Sequence, residues 1–200
     1  MSSEARDTGA VIPSLQQVAH DLIVGVGEDP AREGLRETPR RVAESLAFLT
    51  EGYHLHPGDI VGDALFAEEF DDIVVVRDIE FYSLCEHHLL PFFGRVHIGY
   101  IPNGRIIGLS KLPRLVDVFA RRLQVQERLT REIADCVQEL LNPVALGVIV
   151  EASHLCMMMR GVEKQQSKTV TRHLLGTFHD DVEKRSEFLS LVWQDSSGRS

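Results

Sequence analysis

The 200-residue sequence has no apolar run approaching the roughly 20 residues that span a bilayer. It opens on small, polar and charged residues, so the apolar core of a signal peptide is missing as well. Cysteine is scarce. Three thiols cannot build the paired framework of a small secreted domain, and a few unpaired ones suit a reducing compartment. These absences lead us to expect a cytoplasmic protein. Positive charge is also short, with 21 Lys and Arg against 30 Asp and Glu and a formal net charge of −9. A dedicated nucleic-acid binder carries the opposite balance, so neither nucleic acid nor membrane is expected as a partner. The deficit is local, however. Residues 1–80 hold 17 acids and 6 Lys/Arg, whereas residues 81–200 hold 13 and 15. The second part can still form an anion pocket, because such a pocket answers to a few nearby cations and not to the chain's sum. Repeats and low-complexity tracts are absent, and so is the G-x-x-x-x-G-K-[ST] phosphate loop.

What is present is ordinary for a globular chain, 44% hydrophobic and 26% charged. A chain of this length buries roughly 70% of its unfolded surface without staples. Residues 1–12 read as disordered, 13–70 as an N-terminal helical region, and 71–200 as the catalytic domain of one structural unit. Ser14 is the expected N-cap of the first helix, which ends by Gly25. Thr38-Pro39 opens the second. Strands are expected at Ile73–Val76, Phe92–Ile101, Ile106–Leu109, Val144–Ala152 and Thr169–Leu174. Helices are expected near Leu112–Leu123, Gln126–Leu141 and Asp181–Val192. This order implies an α+β fold with antiparallel pairing, not a doubly wound sheet.

Two short stretches carry metal-ligand chemistry. In Cys85-Glu86-His87-His88 a thiol and an imidazole stand three apart, within reach of one ion across a helical turn or a tight loop. In His154-Leu155-Cys156, continued extended geometry would put both donors on one face. Cys85, His88 and Cys156 make a Cys2His set, which favours Zn²⁺. Three protein ligands leave a position for water, whose pKa would fall toward about 7. His87 and His154 are then acid–base candidates. The competing reading is a closed structural site with His87 or His154 as fourth ligand. Cys136 falls on an apolar helix face and reads as core.

A second group is cationic. Ser110-Lys111-Leu112-Pro113-Arg114 opens a helix, where free N–H groups and two cations suit an anion. Arg160 follows Cys156 closely enough to share its neighbourhood. In Gln124-Val125-Gln126-Glu127-Arg128, Glu127 serves the helix dipole or accepts two N–H bonds from an amidine-like edge such as guanine's. Spacing alone does not choose between these.

Together these blocks resemble the zinc-dependent GTP cyclohydrolase I family. The matching stretches are Glu37–Ala43, Cys85–His88, Gly108–Leu112, Gln124–Thr130 and His154–Gly161, all in the family's order. The resemblance implies a tunnelling (T-fold) architecture, an antiparallel sheet with helices packed on one side. It implies hydrolysis of GTP at purine C8, release of formate and rearrangement to 7,8-dihydroneopterin triphosphate, toward folate or other pterins. By position, Cys85, His88 and Cys156 would hold one zinc ion per subunit, and His87 and His154 would transfer protons. Glu127, helped by Gln126, would anchor guanine. Ser110 would lie near ribose and phosphate. Lys111, Arg114 and Arg160 would bind triphosphate, joined by Arg41 of a neighbouring subunit. The implied assembly is a homodecamer of two pentamers with active sites at subunit boundaries. The short N-terminal segment implies no added regulatory region of the animal type.

Overall fold

The computed structural model describes residues 8–193, with side chains from Ile12 onward. The chain forms two compact units that divide between His54 and Leu55. Residues 55–70 therefore belong with the sheet, not with the helical region that the sequence suggested.

The first unit holds α1 (Thr8–Gly25), α2 (Thr38–Leu49) and a 3-10 turn (Glu51–Tyr53). Within it Ala19, Ile23 and Ala43 are buried. Helix α1 starts ahead of the expected N-cap Ser14 and contains Pro13. Proline's fixed φ fits a helix, and its missing N–H forfeits a single backbone bond. Residues 8–12 of the expected disordered stretch are thus helical, and residues 1–7 lie outside the described residues. Pro39 falls in the first turn of α2, as expected.

The second unit runs α3 (Pro57–Val61), β1 (Leu65–Ala67), β2 (Val74–Cys85), β3 (Pro91–Ile101), β4 (Arg105–Ile107), α4 (Lys111–Ala120), β5 (Leu123–Gln124) and α5 (Gln126–Leu141). It continues with β6 (Ala145–His154), α6 (Leu155–Met158), β7 (Thr169–Gly176), α7 (Thr177–Asp180) and α8 (Val182–Trp193). Strands β5-β2-β3-β6-β7 form one sheet, and β1 pairs with β4. All neighbours in the sheet are antiparallel except β2 and β5, which run parallel over two residue pairs.

Side-chain alternation explains the layers. In β6, Leu146, Val148 and Val150 point to one face and join Leu112, Leu115, Leu129 and Ile133 of α4 and α5 in the main core. This is the α+β sheet with helices α4 and α5 packed on one side that the T-fold resemblance implies. Ala145 and Ile149 point to the other face, where α7 and α8 add Phe178, Phe188 and Val192 to a smaller core. The ring of Phe188 lies against Gly99 and Gly147, where any side chain would occupy its place. Phe188→Ala should leave a cavity there that bare glycines cannot refill. The expected cost is about 3–5 kcal/mol, read as a lower urea midpoint at unchanged slope.

Strand β2 is much longer than the expected Ile73–Val76. Its alternation is broken by a register shift between Val76 and Ile79. Asp78 sits there with φ 61 and its N–H donates to His97 Nδ1 at 3.1 Å. The bulge resets the pattern, and the strand continues to Cys85. No helix among the described residues is long and apolar enough to cross a membrane.

Candidate active site

Strand β2 ends at Cys85, and a tight turn sends the chain back as β3. Cys85 N–H donates to Leu90 O at 2.9 Å, while Cys85 O accepts from Leu89 N–H at 2.8 Å and His88 N–H at 3.3 Å. Leu89 takes the left-handed backbone that so short a reversal requires, with φ 54. A loop, not a helix, therefore brings His88 back beside Cys85. Glu86 ties the loop down: its N–H donates to Gln124 O at 3.0 Å, and its carboxylate pairs with Arg128 of α5.

Cys156 arrives from β6 by a route the sequence did not suggest. Extended geometry stops at His154, and Leu155 begins the single turn α6. A helix rises about 1.5 Å per residue against about 3.3 Å in a strand. The turn thus keeps Cys156 over the strand end. The ligand atoms of Cys85, His88 and Cys156 all lie within 4.8 Å of one another. Burial and the neighbouring Cys85 sulfur hold the Cys156 thiol above its ordinary pKa. Two crowded thiols and an imidazole suit a soft or borderline divalent cation, which displaces the thiol protons. No further His, Cys, Asp or Glu joins this group among the described residues. His87 Nδ1 stands 3.7 Å from Cys85 Sγ but outside the three-donor set. Three donors held together are compatible with the open pattern, which leaves a position for water.

His154 ends β6 on the core-facing side, paired in register with Phe92 of β3. The two rings stack at 4.7 Å and 2°. His154 Nε2 meets Gln126 Oε1 at 2.8 Å, and its Nδ1 has no partner among the described residues. Burial lowers the pKa of this imidazole, and the Glu127 carboxylate raises it by less. Glu127 therefore lies close enough to be felt. It is exposed in the first turn of α5, and its carboxylate has no hydrogen bond among the described residues. Gln126, by contrast, is buried and its amide is engaged inside the protein. Cys136 is core, as expected, and burial pushes its thiol up to about 11.

The cations divide into two sets. Arg160 reaches the cluster, its Nη1 donating to His88 Nε2 at 2.8 Å. Ser110, Lys111 and Arg114 sit at the start of α4 and make no hydrogen bond to the cluster. Lys111 Nζ donates instead to Ile60 O at 2.8 Å. In the first unit, Arg40 is held by Glu37 and Glu44. Exposed Arg41 has no side-chain partner among the described residues, so of the two it is the one available to a ligand. Phe92 and the Glu86–Arg128 pair were not foreseen. The Phe92–His154 stack follows from β3–β6 register, which no local motif encodes.

A model of the family described as GTP cyclohydrolase I matches residues 15–193. The GTP cyclohydrolase 1 of Chlorobaculum tepidum is 55% identical over 91% of this chain and 81% of its own length. That of Leptospira biflexa is 57% identical over 89% and 97%, and that of Rattus norvegicus 51% identical over 90% and 75%. Among solved structures, the apo archaeosine synthase QueF-Like protein aligns with 52% of this chain at TM-score 0.44 and 18% identity. That likeness is slight beside the sequence relatives.

Proposed function

Because the chain belongs to the GTP cyclohydrolase I family, we propose that it hydrolyses GTP at purine C8, releases formate and yields 7,8-dihydroneopterin triphosphate, the first step toward tetrahydrofolate and related pterins. The observation that carries this reading is the Cys85–His88–Cys156 group beside His154 and Glu127. Those three residues would hold one Zn²⁺ per subunit. When bound, the ion supplies the Lewis acidity that makes water nucleophilic near neutral pH.

Opening the imidazole ring requires oxygen at C8 and a proton at N7. His154, stacked on Phe92 and anchored at Nε2, presents Nδ1 for proton transfer, and His87 supplies a second imidazole beside Cys85. The free carboxylate of Glu127 accepts from N1–H and the exocyclic amine of guanine. Arg160 binds triphosphate from the cluster side. Lys111 and Arg114 add positive charge, joined by Arg41 of a neighbouring subunit, and Ser110 meets ribose or phosphate. Holding the nucleotide at both ends fixes C8 in place, which is a proximity contribution.

The reading includes a homo-oligomer, a decamer of two pentamers with sites at subunit boundaries. Two features support it. Ser110, Lys111 and Arg114 stand on an element that does not reach the cluster by hydrogen bonds, as expected if a neighbouring copy's set completes each site. In addition, β7 is paired on one side alone among the described residues, and β2 meets β5 over two residue pairs. Open edges of this kind invite pairing between copies.

Incubation with GTP tests the reading. Formate and a pterin triphosphate in equal amounts support it, and unchanged GTP overturns it. For Glu127→Ala we expect GTP affinity to fall about 10- to 100-fold, the loss of hydrogen bonds to a charged acceptor. Calorimetric titration with a non-hydrolysed GTP analogue reads this, and unchanged affinity removes Glu127 from guanine recognition.

A further inference from the structure

The hydrogen bonds behind His154 leave no proton position open. Gln126 is 2% exposed. Its Nε2 faces three acceptors, Val150 O at 3.0 Å, Thr169 O at 3.0 Å and Thr171 Oγ1 at 3.1 Å, and shares its two hydrogens among them. Carbonyl oxygens only accept, so the NH2 group must face them and Oε1 must face His154. An amide oxygen also only accepts. The bond of 2.8 Å between His154 Nε2 and Gln126 Oε1 is therefore an N–H donation from the imidazole. The hydroxyls agree. Thr130 Oγ1 donates to Gln126 O at 2.8 Å, so Thr171, 2.6 Å away, donates to Thr130 and keeps its lone pair for Gln126.

We propose that Gln126 is a positioning residue: it holds His154 in the Nε2–H form and thereby reserves Nδ1 as the nitrogen that meets substrate. This rests on the reading of His154 as a proton-transfer group in GTP ring opening. It replaces the expectation that the Gln126 side chain helps Glu127 hold guanine, since its NH2 group is spent on three acceptors inside the fold. An imidazole without this anchor can place its hydrogen on either nitrogen. The wrong tautomer presents N–H where a lone pair is needed to take up the proton that is then passed on, and it would have to become imidazolate to give that hydrogen away.

The test uses the full, zinc-loaded chain with isotopically labelled histidine. Solid-state NMR reads the tautomer, and loss of one signal set in His154→Gln assigns the ring. In the unsubstituted protein, neutral His154 should carry its hydrogen on Nε2. Gln126→Met keeps the volume and removes the acceptor, so both tautomers should appear. Its kcat should fall about 10²-fold, the scale of general acid–base catalysis, with KM for GTP within about twofold. Thr171→Val removes a single anchor of the amide and should shift both readouts the same way by less, which keeps the test valid if Gln126→Met fails to fold. Hydrogen on Nδ1 in the unsubstituted protein overturns the proposal. So does a raised KM at unchanged kcat, which would put the Gln126 side chain on guanine. The NMR arm needs no turnover. A chain inert toward GTP therefore refutes the proposed function, while the spectrum still decides whether Gln126 sets the tautomer.

Discussion

Cys85→Ser, His88→Ser and Cys156→Ser should each lose tightly bound metal and ring opening together. The three donor atoms share one small volume, so no single absence can be covered by the other two. Disturbing an outer-shell partner of a metal typically costs 10- to 100-fold in affinity or activity, and removing a direct ligand should cost more than about 100-fold. Metal analysis after gel filtration, beside a formate assay on the same sample, checks both losses. The fold should survive, since Cys85 is one small side chain among the many of the main core, Cys156 only borders it, and serine keeps nearly the same shape at either position. Full zinc occupancy in all three variants would refute the ligand assignment.

His154→Ala should separate binding from chemistry. The proposed ligands Cys85, His88 and Cys156 remain, as does the free carboxylate of Glu127, so zinc content and GTP affinity should stay near their original values. Turnover should fall by about 10²- to 10⁴-fold, the usual contribution of a positioned proton-transfer group. Single-turnover formate release measured beside calorimetric GTP binding distinguishes the two. A near-original rate would remove His154 from the chemistry, and loss of zinc would make it a structural support for Cys156.

The parts of the fold that could be read in advance are those where periodicity is local. The apolar face Leu129, Ile133, Cys136, Val137 and Leu140 defined α5, and the alternation through Leu146, Val148 and Val150 defined β6. The Cys85–His88–Cys156 group was legible because its members stand in two short stretches, each with short spacing. Features set by register or by backbone reversal were not. The Asp78 bulge hid three quarters of β2, and the turn α6 replaced the extended path to Cys156. Residues brought together only by long-range pairing carried no local signal. Phe92 meets His154 across 62 positions, and Glu86 pairs with Arg128 across 42. Gln126 shows the limit most plainly. The family resemblance implied a base contact for it, whereas its partners on β6 and β7 turn it toward His154.

Formate release by chelated protein, measured against added zinc, tests the central claim most directly. The chelated chain should be folded and inert. Release should rise in proportion to zinc and level off at one ion per chain, with the pterin product appearing in equal amount. Undiminished release without metal, or unchanged GTP at full zinc loading, would contradict the assignment of Cys85, His88 and Cys156 as the centre of GTP ring opening.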